Sequence, residues 1–273
     1  MFHTVRPRSS LQSALIILEL IYHTTVRNIR QGHGNAVIAL VLNILTAVII
    51  VMAFYVMFSL LGLRGAKLRG DFLLFMMSGI FLYLTHIKAV GAVVGSEGPA
   101  SPMMQHAPMN TIVAICAAAL GSLYIQVLSM GVILFVYHAA FTPITIHQPV
   151  AAFGMLMLAW FTGIAVGLIL LAIKPWFPTF VSIFTTIYQR ANMVASGKMF
   201  VANSLPAFMY DMFSWNPLFH TIDQARGFVF INYFPHKTSL DYPIYLGICF
   251  LVIGLMGEFY TRQFASKSWD ARR

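Results

Sequence analysis

The stretch "MNTIVAICAAALGSLYIQVLSMGVILFVYHAAF", residues 109–141, contains no Asp, Glu, Lys or Arg. A hydrocarbon core about 30 Å thick is crossed by roughly 20 apolar residues in a helix, because lipid offers nothing to an unpaired backbone. This run is long enough to span. Residues 36–63 and 149–173 repeat the pattern without a charge, and residues 242–261 carry only Glu258. Across 273 residues the chain is 59% hydrophobic and 9% charged, with a mean hydropathy of +0.79. That leaves too little polar surface for a soluble globule. The expected class is an all-α integral membrane protein.

Two weaker segments complete the pattern. Residues 72–87 are apolar but short, and they extend through Lys88 into "AVGAVVG", since a lysine near a helix end can reach the headgroups. Residues 175–200 are apolar up to Arg190, whose cost at the bilayer centre would be about 3 kcal/mol. Counting both gives six spans. Ten of the 17 basic residues then share the side of the termini: four before residue 36, Lys88, Lys174 and four after residue 261. The positive-inside bias places both termini in the cytoplasm, against the contribution of Arg64, Lys67 and Arg69. The expected organisation is a cytoplasmic segment 1–35, a spanning domain 36–261 and a cytoplasmic tail 262–273.

The formal charge of +9 is accounted for by boundary residues meeting anionic headgroups, and no nucleic-acid partner is implied. Cys116 and Cys249 fall inside apolar runs, where a thiol behaves as a small hydrophobe. The first thirty residues are interrupted by Glu19 and His23 and lack a small-residue cleavage site, so they do not read as a signal peptide. They show helical periodicity instead. Leu11, Leu15, Leu18, Tyr22, Val26 and Ile29 recur on one face, and Gln12, Glu19, His23, Arg27 and Arg30 on another. Such a helix lies in the membrane interface or packs on a partner protein.

The breaks between spans carry the remaining information. Residues 93–110, "VVGSEGPASPMMQHAPMN", place three prolines and two glycines around Glu97, which forces a loop. Ser101 and Pro102 allow a turn or two of helix within it. Further on, Pro217 pushes Asn216 out of helical conformation, so Asn216 becomes an N-cap and Pro217 a first helical residue. His220, Asp223 and Arg226 follow at three-residue spacing, where Asp223 and Arg226 can pair. Residues of about 196–230 therefore read as two short helices that dip and return without crossing, and the rival reading is a surface loop anchored by Trp215 and tyrosines. In span four, Gly163 and Gly167 form a GxxxG pair suited to close packing or arising by chance.

The run "YQRANMVASGKMFVANSLPAFMYDMFSWNPLFHTIDQAR", residues 188–226, resembles the permease subunits of bacterial ABC exporters of capsular polysaccharide and O-antigen. The resemblance is carried by Arg190, Ser196 and Gly197, Leu205 and Pro206, Asn216 to Leu218, His220 and Arg226, in that order. Outside this run the chain lacks the Trp and Pro common near the first span of that family. The resemblance implies a homodimer in the bacterial inner membrane, with a separate nucleotide-binding ATPase docked on the cytoplasmic side. ATP and Mg would be used by that partner, and this chain would bind no cofactor. Glu97, Pro99, Gln105 and His106 would couple to the ATPase. Tyr188, Arg190, Tyr210, Trp215, Asn216, Pro217, His220, Asp223 and Arg226 would line or shape the transport path for a lipid-linked polysaccharide, and periplasmic export proteins would be further partners. Arg226→Ala would then reduce export without removing the protein from the membrane.

The residues are consistent with that division of labour. "VASGKMF" continues Gly-Lys with Met199, so it is not a phosphate-binding loop. Nine histidines form no HxxxH or HExxH pair, and the spans hold almost no carboxylate for hydrolytic chemistry. Aromatic faces near the proposed dip could slide along sugar rings. Alternative classes are an ion-coupled secondary transporter, an ABC permease for another lipid or drug, and a non-transporting scaffold.

Overall fold

The computed structural model describes residues 10–31, 36–60, 71–97 and 111–264. Pro99, Gln105 and His106, the turn at Ser101 and Pro102, and Arg64, Lys67 and Arg69 lie outside the described residues. All regular structure in the described part is helical: α1 (Ser10–Gln31), α2 (Ala36–Leu60), α3 (Phe72–Val94), α4 (Thr111–Ala140), α5 (Pro149–Ile173), α6 (Pro178–Ala195), α7 (Ala207–Phe213), α8 (Pro217–Val229) and α9 (Asp241–Phe264), with a short 3₁₀ turn at Ala202–Ser204.

Among the described residues, five helices are long and apolar enough to cross a membrane: α2, α3, α4, α5 and α9. They match the four clear runs and the extended 72–94 segment. The expected sixth span, 175–200, does not meet that standard. It starts at Pro178, a first-turn proline, and ends at Ala195, giving 18 residues. At 1.5 Å per residue that is about 27 Å, short of the hydrocarbon core. Its second half also carries Gln189, Arg190 and Asn192. Gly197 follows with φ of +72°, a left-handed conformation that glycine adopts without strain and that stops the helix from continuing.

α3 is the central element. Its side chains are buried along most of its length, whereas α2 and α9 turn most of theirs outward. It begins at Asp71, whose carboxylate accepts the Leu73 N–H at 2.9 Å and also hydroxyls from Tyr137 and Thr142, tying the start of α3 to the end of α4. α5 packs along α3 in the same direction. A Cβ on Gly163 would meet the His86 carbonyl at 2.6 Å, and one on Gly167 would meet Val93 Cβ at 2.8 Å. The GxxxG pair is thus a close helix contact. On its opposite side α5 receives α9, whose Gly254 lies so near Leu168 that a Cβ would approach to 2.7 Å. Small residues let these backbones come together where lipid supplies no hydrophobic drive for association. Polar pairs add to the packing. Asn43 on α2 donates to Ser129 on α4 at 2.9 Å and accepts from Gln126 at 3.0 Å.

α1 packs on α4, with Thr25 and Ile29 against Gly121. Leu15, Leu18 and Tyr22 stay exposed, and Glu19 and His23 sit 3.7 Å apart on the helix surface. The expected apolar stripe therefore divides, its first half open and Ile29 used against the bundle.

Candidate functional site

The segment between α6 and α9 forms the densest polar cluster among the described residues. α6 climbs alongside α3 in the opposite direction. The Tyr188 hydroxyl donates to His86 Nε2 at 2.8 Å, the other imidazole nitrogen donates to the Ala159 carbonyl, and Tyr83 donates to the Gln189 carbonyl at 3.2 Å. The chain then turns at Gly197, passes through Ala202–Ser204, and α7 brings it back to the level of α6's end. There the Asn216 amide donates to Asn192 at 2.9 Å and to the Ala195 carbonyl at 3.2 Å. Asn216 also caps α8, accepting the Leu218 N–H at 3.0 Å, with Pro217 in the first turn. From that point α8 runs back beside α3 and α5. Its end lies against the start of α5, where the His147 and Gln148 N–H groups donate to the Val229 and Phe228 carbonyls.

Two charged side chains on α8 hold the segment together from opposite sides. Arg226 is fully buried. It donates from Nη1 to the Gly197 carbonyl at 2.9 Å and the Phe200 carbonyl at 2.5 Å, and from Nη2 to the Lys198 carbonyl at 2.5 Å, while its guanidinium lies 4.1 Å from the Phe75 ring centre. A planar fork reaches three carbonyls that no ammonium could reach together. Asp223 accepts from the Ala202 N–H at 3.1 Å, Tyr233 at 2.6 Å and Thr238 at 2.8 Å. The expected surface pairing of Asp223 with Arg226 is not what forms. Both are buried and bond to loop groups instead, with only the Arg226 Nε left without a hydrogen-bond partner among the described residues, because burying a charge requires several partners rather than one.

His220 is placed between loops rather than in an open path. Its Nε2 donates to the Ser214 carbonyl at 2.7 Å, and its Nδ1 accepts the Ser239 N–H at 3.2 Å, which fixes the neutral tautomer. Tyr210 donates to the Lys237 carbonyl at 2.5 Å. Trp215 is 66% exposed at the tip between α7 and α8, and Arg190 is exposed on α6. Of the predicted path residues, Asn216, Pro217, His220, Asp223 and Arg226 are thus brought together, Tyr188 faces His86, and Arg190 and Trp215 point away from the cluster. Glu97 lies just past the end of α3, and the side chain of Arg30 is outside the described residues.

Lys198 was not among the predicted site residues, because "SGK" invited only the question of a phosphate loop. It is fully buried, with Nζ 3.7 Å from the Tyr83 ring centre and 4.7 Å from that of Phe54, and no hydrogen-bond partner among the described residues. Two aromatic faces supply the attraction that a carboxylate would otherwise give. The only sequence signal for it was the Ser-Gly pair that precedes it. The pairing of His86 with Tyr188 was equally invisible, since 102 residues separate the partners. Among the described residues, no three His, Cys, Asp or Glu side chains converge as metal ligands.

No family model matches the chain. It is similar to two curated proteins of Escherichia coli, each named polysialic acid transport protein KpsM. One alignment is 24% identical over 193 residues, covering 68% of this chain and 71% of the relative; the other is 24% identical over 208 residues, covering 72% and 78%. The chain is a multi-pass membrane protein, helical in its described residues, with a likeness to polysialic acid transport proteins spread over more than two thirds of its length.

Proposed function

We propose that this chain is the permease subunit of an ATP-driven exporter that moves a polysaccharide, carried on a lipid, across the bacterial inner membrane. The observation that carries the reading is the likeness to polysaccharide transport proteins along most of the chain, which coincides with five apolar helices. The segment carrying the family-like residues is also the one that folds into the Arg226-centred cluster.

On this reading α6 and the extended segment after it make the sixth pass, and α7 with α8 form a re-entrant pair opening to the outside. Buried backbone carbonyls satisfied by Arg226 support such a pair, because irregular backbone inside a membrane has to be paired within the protein. Two copies associate through the exposed apolar faces of α2, α6 and α9. Phe208 and Met212 of α7, with Trp215 just after it, leave an exposed aromatic and thioether surface for sugar rings to pass. A nucleotide-binding partner, with its ATP and Mg, docks on the side of Glu97 and α1, which is the cytoplasmic side holding both termini.

Co-purification with a nucleotide-binding subunit, and ATP-dependent uptake of lipid-linked polysaccharide into inverted vesicles containing both, test this reading. Transport by the chain alone with an ion gradient would replace it with a secondary transporter. Glu258 favours keeping that comparison, since it is 5% exposed within α9 and its Oε1 has no hydrogen-bond partner among the described residues.

A further inference from the structure

Among the described residues, a cavity of about 400 Å³ opens beside the start of α3, at the opposite end of that helix from Glu97. Three parts of the chain meet there: the start of α3, the loop from α4 to α5, and the segment leaving α8. The His147 N–H donates to the Val229 carbonyl at 3.2 Å, which fixes the last two against each other. The volume lies at the lower end of the range of small-molecule sites. Leu74, Ile146 and Phe230 give the cavity an apolar wall, and Asp71, His147 and Asn232 give it polar groups. Asp71 is held by the Leu73 N–H at 2.9 Å and by the hydroxyls of Tyr137 and Thr142, so its carboxylate is kept at the cavity instead of swinging into water. It is the one carboxylate among the described lining residues, and none of them is Lys or Arg. His147 and Asn232 are exposed, and neither side chain bonds to another group among the described residues.

We infer that this cavity receives one uncharged sugar ring of the exported polymer, seated on Phe230 and Ile146 with its hydroxyls bonded to Asp71 and Asn232. The inference rests on the reading of the chain as a polysaccharide permease. A sugar ring has an apolar C–H face and an edge of hydroxyls, each both donor and acceptor. That edge matches a carboxylate, which only accepts, beside an amide, which does both. A carboxylated or phosphorylated ring would bring a second negative charge against Asp71, with no Lys or Arg in the described lining to offset it. A divalent cation takes about six or more oxygen ligands, and a single carboxylate whose Oδ2 already accepts two hydroxyls supplies too few. An acyl chain would strip water from Asp71 without replacing it. Asp71 thereby makes the cavity a filter for the charge of the polymer.

The test uses the full chain in lipid nanodiscs and saturation-transfer NMR with three soluble probes: maltotetraose, N-acetylchitotetraose and a sialic acid tetramer. An uncharged probe is expected to bind and the sialic acid tetramer is not. Asn232→Ala weakens the uncharged probe by about tenfold, the effect of one lost hydrogen bond to a ligand. Thr145→Trp, at an exposed loop position lining the cavity, fills the space and abolishes binding. Asp71→Asn keeps a capping side chain at the start of α3 and lets the acidic tetramer bind. Should Asp71→Asn fail to fold, Thr145→Trp decides alone. Equal binding of the acidic tetramer by the unaltered chain, uncharged binding unchanged in Thr145→Trp, or binding of neither uncharged probe would overturn the inference. ATP-driven polysaccharide transport without sugar binding here removes the site and keeps the permease reading. Sugar binding sensitive to Thr145→Trp, without transport alongside a nucleotide-binding partner, keeps the sugar site and removes that reading.

Discussion

Arg226 shows how one side chain decides a local fold. Its three carbonyl acceptors belong to residues 197–200, a stretch without regular structure in which the Gly197 carbonyl also accepts the Phe200 N–H at 3.3 Å while the Lys198 and Phe200 carbonyls depend on Arg226. Truncation leaves the Lys198 and Phe200 carbonyls without donors, at a cost of about 3 kcal/mol or more. Arg226→Ala is therefore expected to lower the yield of folded protein, seen as loss of the monodisperse peak in detergent chromatography. Arg226→Lys should not rescue it, because an ammonium cannot span the three acceptors. The expectation of a purely export-specific loss gives way to this, and an Arg226→Ala protein of wild-type thermal stability would restore it. Gly79 faces the same turn: a Cβ there would meet Arg226 Nη2 and the Lys198 Cα, both at 2.9 Å. Gly79→Ala has to push α3 away from the turn and should destabilise by about 1–3 kcal/mol. Gly154→Ala meets nothing within 4 Å and serves as the neutral comparison in the same melting assay.

Helix contacts obey a second rule, in which small residues set the spacing. α5 offers Gly163 and Gly167 to α3 while receiving Gly247 and Gly254 of α9. Gly163→Val should separate α3 from α5 and disturb His86, whose ring nitrogen donates to Ala159 one turn before. The expected result is a melting temperature lowered by several degrees, with no comparable effect from Gly131→Ala, whose Cβ would also meet nothing. The α7–α8 pair is tested by access. Trp215 is exposed at its tip beside the end of α6, and Ile231 is exposed at the far end of α8. If the pair dips into the membrane, a cysteine at Ile231 reacts with an impermeant outside reagent while one at Trp215 is shielded by lipid. Equal rapid labelling at both would make the segment a surface loop. Cysteines at Phe219 or Ile222 would not distinguish the two, since both side chains are buried against protein.

For the assembly as a whole, the expected outcome is that the purified chain hydrolyses no ATP and gains ATP-driven transport only with its nucleotide-binding partner; robust transport without any ATPase would exclude the exporter reading. The membrane class, the five apolar helices and the N-cap at Asn216 could be read directly from the chain. Hydrophobic run length and the Asn-Pro pair act locally, and their effects depend on neighbours only a few residues away. The end of α6 at Ala195 was half legible, in that Gly197 and Arg190 were visible but their joint effect on length was not. What only the tertiary structure decided is which buried charge meets which group. Arg226 meets carbonyls 26 to 29 residues back, Asp223 meets Tyr233 and Thr238, and Lys198 meets rings on two other helices. The spacing of Asp223 and Arg226 on one helix suggested a pair because local geometry permits it. Burial overruled that, since a charge taken out of water takes as many partners as the surrounding backbone and rings can supply.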